Sequence, residues 1–82
     1  MFDRQQSIRR SAVVAHSDTV DIPVTRSLYF NSGGTVRLTF ADNPTVTVDY
    51  VIPPGGIARP LSVTRVWNTG TNITPGNIIA EY

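Results

Sequence analysis

The chain has no cysteine and no lysine, a single histidine and a single tryptophan. Each absence closes off a class of function. Without cysteine there can be no disulfide and no thiolate metal site, and cysteine usage then leaves the compartment undetermined. No apolar run approaches the roughly 18 residues a membrane-spanning helix needs, so no membrane partner is expected. The opening segment MFDRQQSIRR lacks the apolar centre of a secretory signal, which points to the cytoplasm as the place of synthesis. With His16 as the only imidazole, no Ser-His-Asp arrangement in a strand-to-helix setting can be drawn, and no enzymatic activity is expected.

Positive charge is also scarce. Seven arginines stand against six acidic residues, for a net charge of +1. A nucleic-acid binder would carry a clustered excess of positive charge, so no nucleic-acid partner is expected. Arginine without lysine suits protein interfaces, because the guanidinium is weakly hydrated and forks onto carboxylates. It fits a GC-rich genome equally well.

What is present is period-two alternation. In TVRLTFA, Val36, Leu38 and Phe40 share one face, and in TVTVDYV so do Val46, Val48 and Tyr50. The DNPT turn between them closes a hairpin over about residues 35 to 51. SLYF reads as a strand that reverses at Gly33 and Gly34 to form a meander with the hairpin. SAVVAH is a first strand, followed by the irregular SDTVDIP, whose pairing partner the sequence does not reveal. IPPGG is a loop and Pro60 begins a strand. The alternation of Leu61 and Val63 slips before Val66, which implies a β-bulge near Thr64 or Arg65. GNIIAEY closes the chain. The expected fold is all-β: a small sandwich or barrel of about six short antiparallel strands over residues 11–82, preceded by a polar arm, 1–10.

Few residues suggest chemistry. His16, Asp18 and Asp21 form H-x-D-x-x-D, but the ligands are too few for a hard cation and zinc would lack a third strong donor, so no metal or cofactor is expected. The glycine pairs precede no helix and are turns rather than phosphate loops. The sequon at Asn72 has no signal peptide to bring it to glycosylation. Trp67 either caps the core or anchors a subunit contact. The slipped alternation turns Val66 inward and Trp67 outward, and the second role then includes Arg65 beside it and Tyr82. Arg4, Arg9 and Arg10 in the arm can bond acidic groups on a neighbouring subunit. A chain this short buries only about 60 to 65% of its unfolded surface, which favours stabilisation by partners and a homo-oligomer.

The order of landmarks resembles a known family. SDTVDIP (17–23), RSLYFNSGGTVRLTF (26–40) and IPPGGIARPLSVTRVWNTGT (52–71), followed by a short closing strand, are similar to the small spike-base proteins of tailed phages and phage-like gene transfer agents. The matching residues are Ser17, Asp18 and Thr19; Arg26, Leu28 and Tyr29; Gly33, Gly34 and Val36; Pro54 and Gly56; Pro60, Val63 and Val66; and Thr69, Gly70 and Thr71. Trp67 and Asn68 ahead of the last turn, and the longer arm, depart from that pattern. The resemblance implies a non-enzymatic head spike or fibre base subunit at the virion surface, at capsid vertices, made in the bacterial host cytoplasm. Its implied partners are other copies of itself in a ring of five (alternatively a trimer), the major capsid protein or another virion protein, and a spike or fibre protein. The rival reading is a small-barrel module for oligosaccharide or single-stranded nucleic acid, with Tyr29, Phe30, Tyr50 or Trp67 as a stacking platform.

Overall fold

A computed structural model of the protein describes residues 8–82. Seven short strands build it: β1 (Ser11–Val13), β2 (Ser27–Phe30), β3 (Gly34–Phe40), β4 (Val48–Ile52), β5 (Ile57–Arg59), β6 (Val63–Val66) and β7 (Ile78–Glu81). They form a four-stranded sheet in the order β1-β7-β2-β5 and a three-stranded sheet in the order β4-β3-β6. Every pairing is antiparallel. The sandwich expected from the alternation is present, with one strand more than expected. That strand, β5, is only three residues between Gly56 and Pro60, too short to show a period.

The core comes from alternate positions on both sheets. Leu28, Phe30, Ile78 and Ala80 face Val36, Leu38, Ile52, Val63 and Val66, all essentially without solvent exposure. The hairpin holds as expected, with Val36 opposite Tyr50 and Leu38 opposite Val48. Val46 departs from it: it is exposed, and its N–H donates to the Asn43 carbonyl within the preceding turn. The bulge is present too. Thr39 faces Arg65 and Phe40 faces Val63, so Thr64 is the unpaired extra residue. With that insertion Val63 and Val66, three apart, both point into the core.

The meander is not formed. β2 pairs with β5 and β7 in one sheet while β3 belongs to the other. Gly33 and Gly34 serve a crossing rather than a hairpin. A side chain at Gly33 would meet the Pro53 carbonyl oxygen at 2.7 Å, and Gly34 takes a φ of 145°. Glycine is needed there because two backbone segments pass in contact. Among consecutive strands only β3 and β4 pair with each other.

SDTVDIP finds its partner in β6. The N–H groups of Ser17, Ile22 and Thr25 donate to the carbonyls of Val66, Thr64 and Val63 at 3.0, 2.8 and 3.2 Å. This strap runs antiparallel to β6 and covers its outer edge. It ends at Thr25, 2% exposed, whose hydroxyl donates to the Leu61 carbonyl at 2.6 Å and accepts from the Val63 N–H at 3.0 Å. The edge of β4 has no such cover, and Val51 on it is 78% exposed.

Two substitutions test this account in urea denaturation. Thr25→Val leaves a buried N–H and a buried carbonyl without their partner and is expected to cost about 1 to 3 kcal/mol, while Thr25→Ser, which keeps the hydroxyl, recovers most of it. Val63→Ala is expected to cost about 1 to 3 kcal/mol by opening a cavity between the sheets.

Candidate assembly surface

The six expected contact residues fall into separate groups. Arg4 lies outside the described residues. Arg9, Arg10 and Tyr82 come together because the chain before β1 continues pairing with the end of β7: the Arg9 N–H donates to the Tyr82 carbonyl, and the Tyr82 N–H to the Arg10 carbonyl, both at 2.8 Å. The Arg10 guanidinium lies 4.1 Å from the centre of the Tyr82 ring. Tyr82 also packs partly against the core.

Arg65 and Trp67 occupy the outer face of the three-stranded sheet. Arg65 faces Thr39, and the Trp67 indole N–H donates to the Thr39 hydroxyl at 2.7 Å. Trp67 therefore points away from the core, as the slipped alternation implies, but it is half-buried and its N–H is satisfied. Its indole lies against Thr39, which is only 6% exposed although its side chain faces outward. Arg65 stacks over the indole at 5.0 Å and spends its donors on the strap, bonding Asp21 at 2.8 Å and the carbonyls of Asp18 and Thr19 at 3.1 and 3.4 Å. The pair is a packed corner, half-buried, on the outer face of the sheet.

The two aspartates of H-x-D-x-x-D are engaged within the fold. The Asp18 carboxylate accepts from the N–H groups of Asn68 and Thr69 at 2.9 and 2.8 Å and from the Thr69 hydroxyl at 2.6 Å. Asp21 pairs with Arg65. Ser17 caps the local turn, accepting from the N–H groups of Thr19 and Val20. Among the described residues no three His, Asp or Glu side chains are grouped to hold a metal.

One surface was not visible in the sequence. On the outer face of the four-stranded sheet Val13 faces Ile79, Ile79 faces Tyr29, and Tyr29 faces Ala58, so one rung across all four strands is apolar. Val13 is 61% and Tyr29 42% exposed. Each residue looks ordinary alone, and the rung exists only once the nonlocal strand order is known. Nothing in the local pattern around Arg26 marks it as a site residue either. It sits before β2, beside Arg9, Arg10 and Tyr82 at a cleft whose other walls are Pro23 and Val24.

No protein-family model matches the chain, and no curated protein matches it in sequence. Among solved structures, a chain in the capsid of a native GTA particle, computed with C5 symmetry, has the same fold. It superimposes with a TM-score of 0.77 over 100% of this chain and 92% of that one, at 24% sequence identity.

Titration ties the loops to pH. Burial pushes the His16 imidazole below its ordinary 6.5, and its Nε2 is buried without a partner. Protonating it is harder in the folded state than in the unfolded one, so stability is whole above pH 6.5 and falls as pH drops below that value toward the lowered folded pKa. The Thr69 hydroxyl and backbone N–H hold the Asp18 carboxyl below its ordinary 3.8, and the hydrogen bond from Arg37 does the same for Asp49. Their contributions are whole above 3.8 and are lost as pH falls through the lowered folded values. Urea midpoints measured against pH are therefore expected to decline in two windows. His16→Leu should abolish the upper decline, and Asp18→Asn should reduce the lower one.

Proposed function

We propose that the protein is a structural subunit of a phage-like virion, a spike or fibre base that assembles as a ring on the particle. The observation that carries this reading is the end-to-end fold likeness to a chain of the GTA capsid. At 24% identity that likeness concerns the fold, and the spike-base role rests on the order of sequence landmarks beside it. Those landmarks meet in space. The Ser17-Asp18-Thr19 turn is bonded to the Thr69-Gly70-Thr71 turn through Asp18, and Gly33-Gly34 lies against Pro53 and Asn72. Motifs far apart in the chain are thus the joints of one architecture.

A ring built head to tail needs two different surfaces on each subunit. The sandwich presents two on its opposite outer faces: the Trp67–Arg65 corner and the apolar rung of Val13, Ile79 and Tyr29. Five copies is the proposed number, in keeping with the C5 symmetry of the neighbouring structure, and the particle surface at capsid vertices is the proposed location. The arm containing Arg4, Arg9 and Arg10 would dock the subunit onto another virion protein. The rival, a stacking platform for bases or sugars, finds little support. Phe30 is fully buried, Tyr50 packs partly against the core, and Tyr29 and Trp67 lie on different sheets.

Native mass spectrometry or light scattering at micromolar concentration is expected to show an assembly of five 9.0 kDa chains, 5 × 9.0 or about 45 kDa. A folded monomer that fails to enter particles would end the proposal. Trp67→Ala should weaken the assembly by about 2 kcal/mol or more while leaving a folded domain, as loss of an interface anchor does. Unfolding without prior dissociation would instead make Trp67 a purely structural cap over Thr39.

A further inference from the structure

We infer that the cleft between the start of β1, the strap and the end of β7 is a docking site for an acidic peptide segment of a different protein. The cleft has a volume of about 520 Å³ and is lined by Arg9, Arg10, Pro23, Val24, Arg26 and Tyr82. Three of the chain's seven arginines converge on it. Among the described residues the ion pairs are Arg37 with Asp49 and Arg65 with Asp21, so none of the three cleft guanidiniums meets a carboxylate there.

The acidic side of the ledger identifies the occupant. Asp18 is held by Asn68 and Thr69, Asp21 and Asp49 by arginines, and Glu81 accepts from the Ser27 hydroxyl. That leaves Asp3, beyond the described residues, Asp42 on the exposed turn before β4, and the second oxygen of Glu81. Asp42 lines an adjoining hollow past Val24 and, among the described residues, pairs with no arginine. Among the described residues no three acidic side chains are grouped, so a second copy offers no acidic patch to match three guanidiniums, and the matching charge comes from another protein.

The form of the cleft fits a peptide. Forked guanidiniums grip carboxylates with two parallel hydrogen bonds. Arg10 is already positioned by its stacking on Tyr82, which lowers the cost of ordering it. Pro23 and Val24, the latter 55% exposed, give an apolar wall for a side chain between two acidic residues. Nucleic acid is the poorer match: the net charge is +1 and the arginines converge at one place instead of tracking a backbone. The inference stands on the cleft and holds whether or not the protein is a virion subunit.

Fluorescence anisotropy with the full chain and a labelled hexaglutamate peptide carrying a central leucine tests it. Saturable binding that weakens with salt is expected, with none to the glutamine counterpart. Arg10→Gln or Arg26→Gln should weaken binding about tenfold each, the loss of one charge-assisted hydrogen bond. Arg59→Gln, outside the cleft, should leave it unchanged. Arg26→Lys keeps the charge and loses the fork, so it should still bind several-fold more weakly, which covers the case in which a glutamine variant fails to fold. Absent binding to hexaglutamate, equal or tighter binding to a single-stranded oligonucleotide, or an equal loss in Arg59→Gln would each overturn the assignment. Particle incorporation is a separate readout, so failure here leaves the virion reading to its own test.

Discussion

The buried hydroxyl of Thr25 ties the approach to one sheet to the start of a strand in the other. It stands two residues before β2, in the four-stranded sheet, and bonds both sides of the start of β6, in the three-stranded sheet. A hydroxyl can donate and accept at once, which is what the turn from Leu61 to Val63 requires. From that point the strap lies along β6 and hides an edge that would otherwise offer unpaired backbone groups. Arg65 reinforces the same seam from the outer face through the carbonyls of Asp18 and Thr19. Thus the position of Trp67, the clasp of Asp18 on Thr69 and the placing of Pro23 and Val24 beside the arginine cleft all depend on the strap being seated.

The sequence reveals local features and hides nonlocal ones. The β3–β4 hairpin is legible because its partners are neighbours and both alternate. The bulge is legible because Val63 and Val66 cannot both face inward in a regular strand. Gly33 and Gly34 mislead, since glycine permits both a tight reversal and a close crossing, and only the position of Pro53 decides between them. Asp18 misleads in the same way: beside His16 it resembles part of a ligand set until its oxygens are found on a turn fifty positions away. The apolar rung and the arginine cleft need the order β1-β7-β2-β5, which no periodicity encodes.

Shape and charge assign different tasks to different surfaces. The outer face of the four-stranded sheet carries the apolar rung, whereas that of the three-stranded sheet sets Trp67 among the Arg37–Asp49 and Arg65–Asp21 pairs. The cleft at the end of the sandwich carries concentrated charge suited to something chemically unlike the chain itself. The apolar rung and the arginine cleft share no residue, so a ligand held by one leaves the other free.

The place of β7 has a consequence for timing. It is the last strand in the chain, yet it lies between β1 and β2 and supplies Ile78 and Ala80 to the core. During synthesis β1 and β2 have nothing to bridge them until residues 78 to 81 leave the ribosome, so the four-stranded sheet cannot close before β7 is made. With one local hairpin and every other pairing long-range, folding is slow and close to all-or-none. Until β7 is made, the inner face of the three-stranded sheet lacks Ile78 and Ala80 against it, so the core is the last part of the fold to close.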